Sequence, residues 1–153
     1  MFNSSKFPVP EAGQYRLFLK AGCPFCTKLV VFLGAAGLQD KVKPIYDCPP
    51  VREYVAACND NKCSFPALEI VEGENVMLES GDIMDFFINK YEIDQKKLWA
   101  FRYFDEGMLV TFRALFGYLV QQEGGYPKAQ EWFAENATLV PHACPPESAA
   151  EVL

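Results

Sequence analysis

The feature that most constrains the fold is a Cys-x-x-Cys motif, Cys23-Pro-Phe-Cys26, placed where a strand pattern changes into a helix pattern. Residues 15–20 are rich in β-forming side chains and alternate apolar with polar positions, which predicts a short strand. From Pro24 onward apolar residues recur every three or four positions, and proline suits the first turn of a helix. The motif is therefore predicted at the N-terminus of a helix that directly follows a strand.

This position decides the chemistry expected of the two thiols. Cys23 is predicted to cap the helix, where unpaired backbone N–H groups and the positive end of the helix dipole stabilise a thiolate and lower its pKa. Cys26 lies one turn later, close enough to attack a mixed disulfide on Cys23 and expel the partner. Cys23 and Cys26 are therefore the candidate catalytic residues, as attacking and resolving thiol.

A Cys-x-x-Cys can also be half of a zinc site, which needs two further ligands. The single histidine is His142, near the C-terminus, and the sequence has no second Cys-x-x-Cys. Redox use is favoured on this count, and no metal site is predicted. The other cysteines, Cys48, Cys58, Cys63 and Cys144, are interpreted as small apolar fillers rather than as a disulfide or metal ligands.

Charge and the N-terminal sequence exclude some classes of function. The net charge is −6, whereas binding to phosphate backbones needs a basic surface, so nucleic acid is not an expected partner. The first residues lack the charged start and apolar core of a signal peptide. We therefore expect a cytoplasmic protein or one inside an organelle, delivered there by a presequence that has been removed.

After an irregular arm over residues 1–14, the pattern predicts the order β-α-β-α-β-β-α up to residue 92. Strands are predicted at 42–47, 65–71 and 76–79, with helices over 51–58 and from Ser80, read as a helix cap. The short break after the first helix favours a right-handed crossover to a parallel strand, and Pro44 suits an edge strand. This order describes an α/β, thioredoxin-like domain over residues 15–92.

Three separated segments resemble a known family. Cys23-Pro-Phe-Cys26 resembles the dithiol signature of glutaredoxins, with Phe25 in place of the usual tyrosine. Ser64-Phe-Pro-Ala-Leu68 is similar to the segment that bears their cis-proline. Glu79-Ser-Gly-Asp-Ile83 resembles the Glu-Ser-x-x-Ile of glutathione transferases. The domain thus resembles a glutaredoxin, or the glutathione-binding N-terminal domain of a glutathione S-transferase.

The resemblance implies that glutathione is the co-substrate. The residues that would bind it are Lys20, Phe25, Phe65, Pro66, Glu79 and Ser80. If Pro66 is cis, the backbone of Phe65 can pair with the cysteinyl part of glutathione like an added strand. Ser80 and Glu79 would meet the γ-glutamyl end, while Lys20 would meet the glycine carboxylate and favour the Cys23 thiolate. The alternatives are an ordinary helix cap for Ser80 and a solvated strand end for Lys20.

The C-terminal part is predicted to be a short all-helical extension over residues 93–140, followed by an irregular tail over 141–153. Asp94 is a candidate cap for one long helix to residue 122, and a second helix runs from Pro127 to about residue 138. The predicted buried stripe consists of Leu98, Phe101, Phe104, Met108, Phe112, Leu115 and Leu119, flanked by Trp99, Tyr103, Val110, Phe116 and Tyr118. The most apolar run, 108–120, is too short for a membrane span and contains Arg113.

An aromatic helix of this width favours either a protein partner or homodimer through residues 94–122, or folding of the helix back onto the core. The favoured function is a glutathione-dependent thiol–disulfide oxidoreductase, acting on disulfide-bonded or glutathionylated proteins. A structural subunit of a larger complex and a glutathione transferase are the alternatives, the latter disfavoured by the short helical region. The resemblance also allows an iron–sulfur cluster held between two chains with glutathione, as in dithiol glutaredoxins, and nothing in this sequence decides for or against it.

Overall fold

A four-stranded mixed sheet forms the centre of the computed structural model, which describes residues 7–20 and 22–136. The strands are β1 (Tyr15–Leu19), β2 (Val42–Tyr46), β3 (Ala67–Val71) and β4 (Asn75–Met77), in the order β2-β1-β3-β4. β1 runs parallel to β2 and antiparallel to β3, and β3 is antiparallel to β4. The predicted α/β, thioredoxin-like fold is confirmed, as are the parallel crossover and the edge position of β2.

Helices cover both faces of this sheet. They are α1 (Pro24–Ala35), α2 (Pro49–Ala57) and α3 (Ser80–Tyr91). On one face, α1 and α3 bury Leu29, Phe32 and Phe87 against the sheet. On the other face, α2 packs with Phe7, which comes from the N-terminal arm and is buried. The sheet is therefore the middle layer of three, as its apolar strands require.

Two predicted boundaries were wrong for local reasons. Ser80 does not cap α3: the cap residue is Glu79, which has an extended backbone and no side-chain capping bond, and Ser80 is already helical. A hydroxyl at the first helical position is not placed to accept the N–H bonds that a cap accepts. β3 begins at Ala67 rather than Phe65, because Pro66 has no N–H to give to a strand ladder.

The extension is not one uninterrupted α-helix. Asp94 caps a 3₁₀ turn over Gln95–Lys97, accepting a 3.1 Å hydrogen bond from the Lys96 N–H. α4 (Trp99–Tyr103) follows, then a π-helical turn (Phe104–Met108), α5 (Leu109–Glu123) and α6 (Tyr126–Asn136). Gly124, in the left-handed region at φ 81°, ends α5 as predicted. No helix within 7–20 and 22–136 combines the length and apolarity of a membrane span.

The π-helical turn changes which side chains face the core. A π turn contains one extra residue, so every position after it is rotated about the helix axis. Leu98 and Phe101, before the turn, are buried as predicted. Met108, the last residue of the turn, is 66% exposed, and Leu109, which follows it, is 5% exposed. The predicted stripe was therefore wrong at Met108, and it was also wrong at Leu115, which is 63% exposed. The predicted end of the second helix near residue 138 and the tail lie outside the described residues.

A buried ion pair joins the two central strands. The Arg16 Nη1 donates to Glu69 Oε2 at 2.8 Å, and both side chains are almost fully buried. The second carboxylate oxygen of Glu69 accepts the hydroxyl of Tyr54, and burial together with this bond raises the pKa of that hydroxyl. The Arg16 Nε donates to the Pro8 carbonyl at 3.1 Å, which ties the arm to the sheet. Every charge in this network has a partner, as burial requires.

We expect Glu69→Leu to lower the free energy of unfolding by about 3–5 kcal/mol, because it leaves the buried Arg16 guanidinium with only a longer, 3.4 Å contact to the exposed carboxylate of Glu72. The double variant Arg16→Met/Glu69→Leu should recover most of this loss, since it removes both charges. Arg102→Gln, which breaks an exposed pair with Glu106, is the matched control and should change stability by less than about 1 kcal/mol. Urea unfolding measures all three. A single-variant loss no larger than that of the control would contradict the structural role of the pair.

Candidate active site

Cys23 occupies the cap position of α1, as the motif predicted. Its backbone is extended (φ −80°, ψ 119°), and its sulfur accepts a hydrogen bond from the Cys26 N–H at 3.4 Å. The same sulfur lies 3.6 Å from the carbonyl oxygen of Phe65. The side chain is half-buried and borders an open cleft. The helix N-terminus therefore presents this sulfur to a space that a ligand can enter.

Cys26 lies deeper than Cys23. It is only 3% exposed, and its sulfur accepts a hydrogen bond from the Lys20 N–H at 3.4 Å. This position results from the helical period, because a residue three places after the cap lies on the face of α1 that packs on the sheet. The two thiols of the motif are thus unequal in access to solvent.

The two sulfurs are also unequal in acidity. The hydrogen bond from the Cys26 thiol, assisted by the N–H groups of Cys26 and Phe25 and by the charge of Lys20, outweighs burial and lowers the pKa of Cys23 from 9.0 to about 6. The same hydrogen bond and burial raise the pKa of Cys26. At neutral pH, Cys23 is therefore mainly a thiolate and Cys26 a protonated thiol that donates to it.

The segment that faces Cys23 contains the predicted cis-proline. The peptide bond between Phe65 and Pro66 is cis. Phe18 pairs with Ala67 across the sheet, so Phe65 lies just beyond the paired part of β3 and Cys23 just beyond the end of β1. The antiparallel register of the two central strands thus brings the Phe65 carbonyl next to the Cys23 sulfur.

A cleft of about 780 Å³ opens beside Cys23, within the usual size range of small-molecule sites, about 300–1,000 Å³. One wall comes from the thioredoxin-like domain and the other from the helical extension. The lining residues from the first wall are Lys20, Cys23, Pro24, Phe25, Arg52, Cys63, Ser64 and Phe65. Those from the second wall are Arg113, Phe116, Gly117, Val120, Gln121 and Tyr126.

Comparison with known families identifies the first wall. Residues 22–90 match the family described as glutathione S-transferase, N-terminal domain. This segment is therefore similar to a glutathione S-transferase N-terminal domain. Domains of this family have a thioredoxin-like fold and bind glutathione in general. A comparison with curated proteins found no match to the chain.

The thioredoxin-like domain brings four of the predicted site residues, Lys20, Cys23, Phe25 and Phe65, together at the cleft. Pro66 is buried next to Phe65. Glu79 and Ser80 lie at the start of α3 and do not line this cleft; Glu79 is exposed and Ser80 half-buried. Their contact with glutathione stays a prediction. Among the described residues, no three His, Cys, Asp or Glu side chains converge as metal ligands would.

Arg52, Arg113 and Cys63 are among the cleft residues that were not predicted as site residues from the sequence. Arg52 is held by the Asp47 carboxylate through bonds of 2.6 and 2.8 Å. Arg113 lies with its guanidinium carbon 5.5 Å from the centre of the Phe25 ring. Cys63 is exposed on the cleft, so its interpretation as an apolar filler was wrong, whereas Cys48 is buried. The sequence contains a feature that could have identified Arg113 as a site residue, because Arg113 is the one charged residue in the apolar run 108–120.

We expect Cys26→Ala to raise the pKa of Cys23 from about 6 toward 9.0, because the thiol of Cys26 is the strongest of the groups that stabilise the Cys23 thiolate. The pH dependence of alkylation at Cys23, followed by mass spectrometry of the labelled peptide, measures this. In the wild type the alkylation rate should rise as the pH increases through about 6, since only the thiolate reacts. Cys63→Ala is the matched control and should leave the midpoint unchanged. A wild-type midpoint near the ordinary value of about 8.5 would contradict the assignment.

Proposed function

We propose that this chain is a glutathione-dependent thiol–disulfide oxidoreductase. The observation that carries the proposal is the Cys23 sulfur, which has a pKa of about 6 and borders the cleft of a glutathione S-transferase N-terminal domain. A thiolate is the reactive form in disulfide exchange, and at neutral pH this one is already ionised. The adjacent Cys26 thiol provides a second reducing equivalent within the same helical turn.

Reduction of a glutathione mixed disulfide, R–S–S–G, needs only Cys23. The Cys23 thiolate attacks the glutathione sulfur, the S–S bond breaks, and R–S⁻ leaves and takes a proton from water. A second glutathione thiolate then attacks the Cys23–glutathione disulfide, which releases oxidised glutathione and restores the Cys23 thiolate. In sum, R–S–S–G and glutathione give R–SH and oxidised glutathione. The disulfide bond thus ends between two glutathione sulfurs, and Cys23 is unchanged.

Cys26 is needed for the reduction of disulfides that contain no glutathione. After Cys23 has attacked such a disulfide, it no longer carries a negative charge, so the main interaction that keeps Cys26 protonated is lost. The Cys26 thiolate can then attack the Cys23 sulfur, which forms the Cys23–Cys26 disulfide and releases the bound thiol. Two glutathione molecules return this disulfide to the dithiol. Burial of Cys26 protects it from direct attack by solvent oxidants until then.

Residues around Cys23 would position glutathione. Phe65 offers its backbone at the edge of β3, and Lys20 places a cation at the rim of the cleft. Pro66 shapes the turn before β3, and Phe25 provides an apolar surface, 45% exposed, beside the sulfur. Glu79 and Ser80, at the N-terminus of α3, would receive the ammonium and carboxylate of the γ-glutamyl end.

Reduction of a small glutathione mixed disulfide, coupled to glutathione reductase, tests the proposal. We expect the wild type to be active, with a rate that rises through pH of about 6, and Cys23→Ser to fall to the uncatalysed rate. Cys26→Ser should keep this activity but lose reduction of a protein disulfide that lacks glutathione. Cys63→Ser is the control that removes the other thiol on the cleft and should act as the wild type does.

Two results would contradict the proposal. The first is an inactive wild type whose Cys23 is shown by alkylation to be reduced and accessible. The second is an activity that joins glutathione to an aryl halide and persists in Cys23→Ser, which would support a transferase in place of an oxidoreductase.

The exposed apolar side chains of the extension favour a second candidate function, assembly with another protein chain. Trp99 and Tyr103 are neighbours on α4, at 76% and 79% exposed, and Leu115 and Tyr118 are neighbours on α5, both 63% exposed. Apolar surface of this kind often meets a partner. We propose that a second copy of the chain or another protein covers these residues, independently of the thiol chemistry.

We expect light scattering to give a mass above that of one chain, and Trp99→Lys/Leu115→Lys to reduce it to one chain, because lysine disfavours burial at a protein interface. Lys128→Glu, on α6, is the control for a change of surface charge. A wild type that stays monomeric, and is recovered from its source cell without a stoichiometric partner, would contradict assembly through this surface.

A further inference from the structure

The second wall of the cleft differs in chemistry from the first. It consists mainly of apolar side chains from α5 and α6, chiefly Phe116, Val120 and Tyr126, with the amide of Gln121 and one cation, Arg113. None of the described residues that line the cleft is acidic, although the whole chain has a net charge of −6. A cleft that gathers cations in an acidic protein favours anionic ligands.

The three cations at the cleft are not equivalent. The Arg52 guanidinium is paired with both carboxylate oxygens of Asp47. Lys20 lowers the pKa of Cys23 and, in the proposed function, meets the glycine carboxylate of glutathione. Arg113 is held over the face of the Phe25 ring. Stacking of this kind leaves the N–H groups at the edge of the guanidinium available for a planar anion.

Activation of the Cys23 thiolate does not explain why Arg113 lies at the cleft. The groups that act most strongly on Cys23 are Cys26, the N–H of Phe25 and Lys20, and Arg113 is not among them. Nor does Arg113 belong to the glutathione S-transferase N-terminal domain, because it lies on α5 in the extension. Its position, beside the motif but on the opposite wall, fits contact with the part of a substrate that is not glutathione.

We propose that Arg113 selects the second half of the mixed disulfide, and that this half is a small aromatic thiol carrying a carboxylate. The aromatic part would pack on the apolar second wall at Phe116 and Val120, and the carboxylate would accept two parallel hydrogen bonds from the Arg113 guanidinium. The inference rests on the proposed function, because the aromatic thiol is the group that leaves when Cys23 attacks the glutathione sulfur. Its S–S bond to glutathione breaks, and it departs as the thiolate.

The test compares two glutathione mixed disulfides, those of para-mercaptobenzoate and of para-mercaptobenzamide, which differ in charge but little in shape. We expect wild-type kcat/KM to favour the carboxylate by about tenfold, a typical contribution of a charge-assisted hydrogen bond. Arg113→Gln should bring this ratio to about one, and Arg113→Lys should restore part of it. The preference should shrink as the salt concentration rises. Arg102→Gln, on α4 outside the cleft, is the matched control and should keep the wild-type ratio.

A second measurement separates recognition from catalysis. S-(para-carboxybenzyl)glutathione and its carboxamide are thioethers that cannot undergo exchange, and calorimetry gives their Kd values. We expect the same preference for the carboxylate, about tenfold in the wild type and lost in Arg113→Gln. If neither mixed disulfide is reduced but this preference is found, the proposed function is wrong and the recognition by Arg113 stands. A wild-type ratio near one in both measurements, or a preference that survives Arg113→Gln, overturns the inference.

Discussion

The ion pair between Arg16 and Glu69 is the interaction on which the site depends. These two residues lie directly opposite each other in the central pair of strands. Since side chains alternate between the faces of a sheet, a slip of one residue would leave a buried guanidinium without its carboxylate. The ion pair therefore favours a single register, and this register places the Phe65 carbonyl 3.6 Å from the Cys23 sulfur. The geometry of the site thus begins in the core of the sheet.

The two thiols differ in pKa because one helical turn places them at different depths below the protein surface. Cys23 caps α1, where backbone N–H groups face the sulfur, while Cys26 is three residues further and packs on the sheet. One proton is shared between the two sulfurs, and the helix N-terminus favours leaving the negative charge on Cys23. The pKa of Cys23 falls and that of Cys26 rises for the same reason. In the proposed reaction, position alone therefore assigns attack to Cys23 and resolution to Cys26.

Much of the fold and of the candidate site around Cys23 could be predicted from short segments of the sequence. Proline after Cys23 and the short crossover each depend on residues close together in the chain, and the structure has both as predicted. The cis peptide bond before Pro66 was implied by the family resemblance of its segment, and it is present. What the sequence could not indicate depends on contacts between distant elements. Arg113 stood out only as a charge in an apolar run, and its place over Phe25 follows from the docking of the extension. The cap of α3 was misplaced by one residue because Glu79 and Ser80 are both compatible with a helix start.

The π-helical turn explains why periodicity failed in the extension and why the cleft has a second wall. Before the turn, Phe101 packs on Phe32 of α1. Within it, Asp105 forms a 3.1 Å ion pair with Lys28, so the extension is attached to the helix that carries both thiols. The extra residue rotates α5 by about 100°, the angle of one residue in an α-helix. Without this rotation, the contacts to α1 could be kept only by turning Arg113 away from the cleft. The local irregularity of the helix therefore lets one segment both dock on the thioredoxin-like domain and face the cleft beside Cys23.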